Sequence, residues 1–155
     1  MYKRILVPVD GSATAAAGLR EALKLAKEQG SQVRIVHVVD EFLMVSPSVY
    51  GAVYDRFTEE MREAGKHVLS AAQDVAREAG VAAEALLIVG LGNPAGKRVL
   101  EAAKQFEADL IVCGTHGRRG LRRIVLGSDA EYMVRHSPVP ILLVRYDDRE
   151  EGSRE

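Results

Sequence analysis

The sequence predicts an α/β fold: an open five-stranded parallel sheet with helices on both faces. Three observations carry that prediction. Five short apolar runs, at residues 5–9, 33–39, 83–89, 110–113 and 141–144, alternate with stretches whose apolar residues recur at helical spacing, the order of parallel strands joined by crossover helices. The runs at 5–9 and 110–113 are unbroken, as strands buried on both faces are. The length, 155 residues, suits one domain and is enough to bury a core without disulfides or metals.

Each element has its own signal. Residues 5–9 (ILVPV) are the first strand. Asp10-Gly11-Ser12 breaks it, and Ser12 is placed to cap the next helix. Residues 13–29 carry Ala15, Leu19, Ala22, Leu23 and Ala26 on one face, and Gly30 stops that helix. Residues 33–39 are the second strand. Residues 40–55 (DEFLMVSPSVYGAVYD) are irregular, punctuated by Pro47 and Gly51, with Phe42, Met44, Tyr50 and Tyr54 scattered through them. A long loop in a compact domain is usually functional or mobile, so this stretch reads either as a lid or as an irregular lead-in to the next helix. From Phe57 a helical stripe runs through Met61, Ala64, Val68, Ala71, Val75 and Ala79, and Gly80 ends it. Residues 83–89 are the third strand. Asn93-Pro94 reads as N-cap and first helical position of a helix reaching to about Phe106. Residues 110–113 and 141–144 are the fourth and fifth strands, the last preceded by Pro138 and Pro140 as at a sheet edge. No internal repeat or linker interrupts residues 1–146. The charged tail, residues 147–155, is expected to be disordered.

Composition narrows the function. Apolar residues at 47% and charged residues at 28% describe an ordinary soluble globular chain. A net charge of −1 offers no global attraction to nucleic acid or to an anionic membrane. Cys113 is the one cysteine, which excludes an internal disulfide and a cysteine-based zinc site. His37, His67 and His136 show no ligand spacing. No run approaches transmembrane length. The opening MYKRILVPVD has a short apolar run ending in an acid, a strand rather than a signal peptide, and a cytoplasmic location is expected.

The chemistry gathers in residues 109–144, DLIVCGTHGRRGLRRIVLGSDAEYMVRHSPVPILLV. A strand ends at Gly114. Gly117 follows, then Gly127 with Ser128 directly after it, and a helical pattern begins. Glycines let the backbone approach a ligand closely, and the first turn of a helix leaves N–H groups free. Together they make an anion site, for which phosphate is the usual anion. Arg118, Arg119, Arg122 and Arg123 stand beside this loop, either compensating phosphate charge or forming a solvated face. His116 is either a phosphate donor or an exposed loop residue. In open α/β sheets ligands sit outside the carboxyl ends of the strands, at the switch point in strand order. Asp10 follows strand one, Asp40 strand two and Gly114 strand four; if strands one and four are neighbours, Asp10 and the Gly114 loop face one crevice.

The spacing of Gly114, Gly117, Gly127 and Ser128 resembles the motif of the universal stress protein family in its nucleotide-binding branch. The resemblance runs from ILVPVDGS at the start to PVPILLVR near the end. It implies a Rossmann-like sheet of order 3-2-1-4-5 and an adenine nucleotide, most often ATP, with magnesium. Carried over by position, Asp10 would contact the ribose or a phosphate-bound magnesium, and the backbone of Val38 the adenine edge. Cys113 would line the base pocket, with Pro8 and Val9 as its wall. Gly114, Gly117, Gly127 and Ser128 would hold the phosphates, with His116, Arg118 and Asp129 beside them. Asp129 departs from the pattern, since many relatives carry an apolar residue there. An acid in the first helical turn suits the helix, but it would repel phosphates unless it points away or helps hold magnesium. The resemblance also implies pairing of the last strand, residues 141–144, across a two-fold axis, hence a homodimer; an exposed apolar edge seeks a partner.

Plainer roles stand beside these: Asp10 as a helix cap, Cys113 as a small buried apolar side chain. Two further patterns are decoys. Gly92-Asn93-Pro94-Ala95-Gly96-Lys97 has a glycine spacing one short of a P-loop, and Arg98 stands where Ser or Thr is needed. Gly90, Gly92 and Ala95 fit a loose dinucleotide pattern, but its acid, Asp109, starts a strand instead of ending one. The function expected is a nucleotide-dependent stress regulator. Hydrolysis should be slow or absent, because no catalytic base, Walker lysine or second acidic metal ligand is visible. The alternative is a dimeric interaction module with an empty or vestigial pocket. An α-hydrolase-like enzyme would carry an SGGxDS or HxGH motif where this chain has VDGSAT. A receiver domain would need an acid ending the third strand, which ends at Gly90. A nucleic-acid role would need a wider basic face with aromatics.

Overall fold

The computed structural model of the chain describes residues 1–40, 51–90, 92–115 and 126–146. The elements run β1 (Arg4–Pro8), α1 (Ala13–Gln29), β2 (Gln32–Asp40), α2 (Ala52–Glu78), β3 (Ala83–Gly90), α3 (Ala95–Phe106), β4 (Leu110–Thr115), α4 (Ser128–His136) and β5 (Ile141–Arg145). Every strand pairing is parallel and the order is β3-β2-β1-β4-β5, as expected.

Alternation along the strands divides the core into two layers. Ile5, Val7, Val33, Ile35, Leu110 and Val112 face α1 and α2, packing on Leu19, Leu23, Leu69 and Ala76. Leu6, Val36, Ile111 and Cys113 face α3 and α4, packing on Val99, Phe106 and Met133. Each strand thus contributes to both faces, which is why the runs at 5–9 and 110–113 carry no polar alternation. Caps fix α1 at both ends. The Ser12 hydroxyl accepts from the Ala15 N–H at 3.2 Å, and Gly30 closes the helix in the left-handed region at φ 68°.

Three local expectations need correction. α2 begins at Ala52 behind Gly51, not near Phe57. Its first turn, Ala52-Val53-Tyr54-Asp55, is not in phase with the stripe that follows, and Val53 is 66% exposed, so periodicity does not reveal it. Its buried positions are Thr58, Gly65, Leu69, Ala72 and Ala76, while Ala64 and Ala71 are exposed and Val75 is 38% exposed. The apolar stripe read from the sequence therefore flanks the contact by one position. Gly65 is the cause. A Cβ there would lie 2.8 Å from Leu87 and 3.0 Å from His37 and Val39, so the helix settles on β2 and β3 through its smallest residues. Second, Pro94 is the N-cap of α3, with ψ at 142°, and the helix starts at Ala95; Asn93 makes no cap bond. Third, Gly114 lies inside β4, in register with Val144, and does not terminate it. Of the irregular stretch 40–55, residues 41–50 lie outside the described residues, as does the tail 147–155.

Candidate functional site

β1 is the switch point: its neighbours are β2 on one side and β4 on the other. The carboxyl ends of β1, β2 and β4 therefore open onto one crevice, bordered by the starts of α1 and α4. Pro8 and Val9 close β1. Asp10 follows, exposed, with Oδ1 accepting the Ser12 N–H at 2.9 Å. Asp10 thus braces the turn before α1 and is not its cap; that role belongs to Ser12.

Val38 reaches the crevice through its backbone. The last β1–β2 ladder bond runs from the Val9 N–H to the Val36 carbonyl, 2.8 Å. Backbone groups of a strand alternate sides, so the amide and carbonyl of Val38 point the same way as those of Val36, beyond the end of β1. A donor and an acceptor side by side there match the edge of a base. His37 holds this corner. Its Nδ1–H donates to the Val9 carbonyl at 2.7 Å, tying the residue before Asp10 to β2. Sequence reasoning set His37 aside for want of ligand spacing, and no local signal marks a positioning role.

Gly114 sits where α1 meets the sheet. A Cβ on it would fall 2.1 Å from the Thr14 carbonyl oxygen, and a Cβ on Gly18 would fall 2.9 Å from the Gly114 nitrogen. The two glycines let the helix lie directly on β4. A glycine within a helical stripe signals such close packing, because it weakens the helix by about 1 kcal/mol relative to alanine, so Gly18 was open to discovery from the sequence. Cys113, next to Gly114, is buried on the opposite face among the α3 and α4 residues. Burial pushes its thiol from 9.0 to about 11, so it is protonated and unreactive at neutral pH.

The start of α4 completes the crevice. Gly127 is its N-cap, in ordinary extended conformation (φ −63°, ψ 155°), and no side chain among the described residues caps the helix. The first-turn N–H groups are thus left to a ligand or water. Ser128 and Asp129 are exposed. Asp129 faces the neighbouring helix: Oδ1 accepts the Gly96 N–H at 3.0 Å. Its carboxylate occupies the amino end of α3, the place where the decoy P-loop pattern would have held a phosphate. The other decoy acid, Asp109, lies at the opposite end of the sheet, accepting from the Lys3 and Arg4 N–H groups at 2.7 and 3.0 Å.

The structure thus brings together Pro8, Val9, Asp10, Val38, Gly114, Gly127 and Ser128 at the carboxyl edge, with the Cys113 side chain directed into the core behind them. His116, Gly117, Arg118, Arg119, Arg122 and Arg123 lie outside the described residues. Among the described residues, no three His, Cys, Asp or Glu side chains come together to hold a metal ion, and no helix is long and apolar enough to cross a membrane.

Comparison with known proteins agrees with the fold. Residues 1–145 match the model of the universal stress protein family. The chain is 34% identical to universal stress protein MJ0531 of Methanocaldococcus jannaschii over 97% of its length and 86% of the relative. It is 36% identical to universal stress protein YxiE of Bacillus subtilis over 94% of its length and 100% of the relative. Among solved structures, a universal stress family protein from Burkholderia pseudomallei superimposes with a TM-score of 0.74 at 33% identity, covering 92% of this chain and 96% of the other. A universal stress protein in complex with cAMP does so with a TM-score of 0.66 at 26% identity, covering 92% and 97%.

Proposed function

This chain belongs to the universal stress protein family, and from that premise we propose that it binds an adenine nucleotide, ATP with magnesium, at the carboxyl edge of β1, β2 and β4, and acts as a nucleotide-dependent regulator in the stress response. The observation that carries this reading is α4: a helix with no side-chain cap among the described residues, opening at Ser128, the last residue of the Gly114, Gly117, Gly127, Ser128 motif. Such an end is a ready anion site. The cAMP complex of a 26% identical relative supports the choice of an adenine nucleotide.

In this reading the Val38 amide and carbonyl pair with the base edge, and Pro8 and Val9 wall it. Asp10 takes the ribose or the nucleotide's magnesium. Gly114, Gly117, Gly127, Ser128, His116 and Arg118 surround the phosphates. The nucleotide supplies charge and a metal; the chain supplies backbone donors and an arginine-rich loop. Hydrolysis is slow or absent, because no residue set for activating water stands among the described residues. The protein works in the cytoplasm as a homodimer joined through β5.

The test is to denature freshly purified protein, identify any released nucleotide by chromatography, and titrate the stripped protein with ATP and magnesium by calorimetry. Binding that is weakened at least tenfold in Gly127→Val supports the reading; Gly127 adopts a backbone conformation open to any residue, so the variant tests ligand space without backbone strain. No released nucleotide and no heat at millimolar ATP would leave a dimeric interaction module with an empty pocket.

A further inference from the structure

The β1–β2 ladder stops one bond short of what its register allows. In a parallel pair a residue gives its N–H to one carbonyl of the neighbouring strand, and its own carbonyl takes the N–H two residues further along that strand. Val9 gives its N–H to the Val36 carbonyl at 2.8 Å, so a continuing ladder would bring the Val38 N–H to the Val9 carbonyl. Among the described residues that bond is not made, and the register ends with Pro8 opposite Val36. The Val9 carbonyl instead accepts from His37 Nδ1–H at 2.7 Å. Val9 is buried, and a buried carbonyl needs such a partner; here a side chain supplies it, and the Val38 N–H is left out of the ladder. The ring is seated under α2. Gly65 leaves it room, since a Cβ there would fall 3.0 Å from His37 Cδ2.

We propose that His37 is a positioning residue of the crevice: by occupying the Val9 carbonyl, it keeps the Val38 N–H open to a ligand. Two donors compete for one carbonyl. The ring holds it because its neighbours fix it, with α2 above and its own strand behind. Without the ring, the nearest donor in the ladder is the Val38 N–H, and β1 would pair with β2 one bond further. The crevice would then offer the Val38 carbonyl alone, an acceptor with no donor beside it. His37 acts through Val9 and Val38 in this account and needs no contact with the ligand. That the ligand is an adenine base rests on the nucleotide reading above; the opening of the Val38 amide does not.

Two variants separate the bond from the bulk of the ring. His37→Leu keeps a side chain branched at the same carbon and removes the donor. His37→Asn places an amide N–H where Nδ1–H stands. Hydrogen exchange at the Val38 amide, followed by NMR on the full chain stripped of nucleotide, reads the opening directly and needs no ligand. Exchange should be fast in wild type and in His37→Asn, and about tenfold slower or more in His37→Leu, where the amide closes on Val9. Calorimetry reads the consequence. ATP with magnesium should bind about tenfold more weakly to His37→Leu, the worth of one hydrogen bond, and His37→Asn should recover most of that loss. A Val38 amide protected in the stripped wild type overturns the proposal, and this measurement decides alone should His37→Leu fail to fold. Unchanged exchange in His37→Leu, or ATP affinity lost equally in both variants, also overturns it. Exchange as expected, with no heat from ATP in wild type, supports the role of His37 and overturns the nucleotide reading, so the two fail separately.

Discussion

Gly114 belongs to a glycine motif read for its closeness to a ligand, yet its neighbour is the Thr14 carbonyl, 2.1 Å from where a Cβ would stand. A backbone atom cannot swing aside as a side chain can. Gly114→Ala should therefore cost about 2–4 kcal/mol of stability, seen as a lower midpoint in urea denaturation with little change in slope. A Gly114 variant at wild-type stability would mean that α1 shifts freely on β4. For the same reason, loss of nucleotide binding in a Gly114 variant says little about the phosphate loop, and Gly127 is the better probe. The adjacent Cys113 carries a pH prediction. Below pH 9 its thiol is protonated in folded and unfolded chains alike, and its stabilising contribution is fully present. Between 9 and about 11 the unfolded chain loses a proton that the folded chain keeps, so stability falls as pH rises, by about 2–3 kcal/mol in all. Urea denaturation of wild type and Cys113→Ala across this range isolates the effect: the difference between them should shrink as pH rises, and a constant difference would contradict the burial-raised thiol. Iodoacetamide should label Cys113 only on unfolding.

Among the elements, α3 and α4 are joined at their amino ends. Gly96 lets them touch, since a Cβ there would fall 2.7 Å from the Asp129 carbonyl oxygen, and the Asp129 side chain supplies α3 with the acceptor that its Pro94 cap cannot. Asp129→Ala should cost about 1 kcal/mol, while Asp129→Asn, which keeps an acceptor oxygen, should cost less; equal losses in thermal unfolding would assign the effect to something other than this bond. Asp129 is thus at once an unusual residue in the phosphate motif and an ordinary helix-capping one. The local sequence shows only the first role, because its partner is 33 residues away. The phase of α2 was hidden in the same way. Its stripe of larger apolar residues is real, but Gly65 sets how closely and by which face the helix meets β2 and β3. By contrast, the Ser12 cap, the Gly30 stop and the core face of α1 depend on neighbours within a few residues, and these were legible.

For the whole molecule, the five strands could be read from apolar runs, but their order could not. Order depends on which strands pair across crossovers, and here it followed from family resemblance carried by the glycine motif. Burial of Arg98 was equally hidden, because charge patterning gives no hint that a first-turn arginine folds back over Gly90. The order leaves β5 as an outer strand, and its apolar residues Ile141, Leu142, Leu143 and Val144 are only partly buried. If two copies pair through this strand, the backbone groups that matter are those directed away from β4. The Ile111 N–H donates to the Pro140 carbonyl at 3.0 Å, and the Thr115 hydroxyl to the Val144 carbonyl at 3.3 Å. Residues 140, 142 and 144 therefore address β4, and residues 141, 143 and 145 address the outer edge. Proline lacks an N–H and is tolerated on a strand only where that group faces outward. Leu143→Pro should accordingly keep the β4–β5 ladder and a cooperative unfolding transition, yet sediment as a monomer at a micromolar concentration where the wild type sediments as a dimer. Leu142→Pro, which removes a donor to β4, should instead lose much of its stability. A wild type that sediments as a monomer, or a Leu143→Pro variant that remains dimeric, would place the dimer contact away from β5 or dispense with it, and would separate the nucleotide site from any assembly built on the sheet edge.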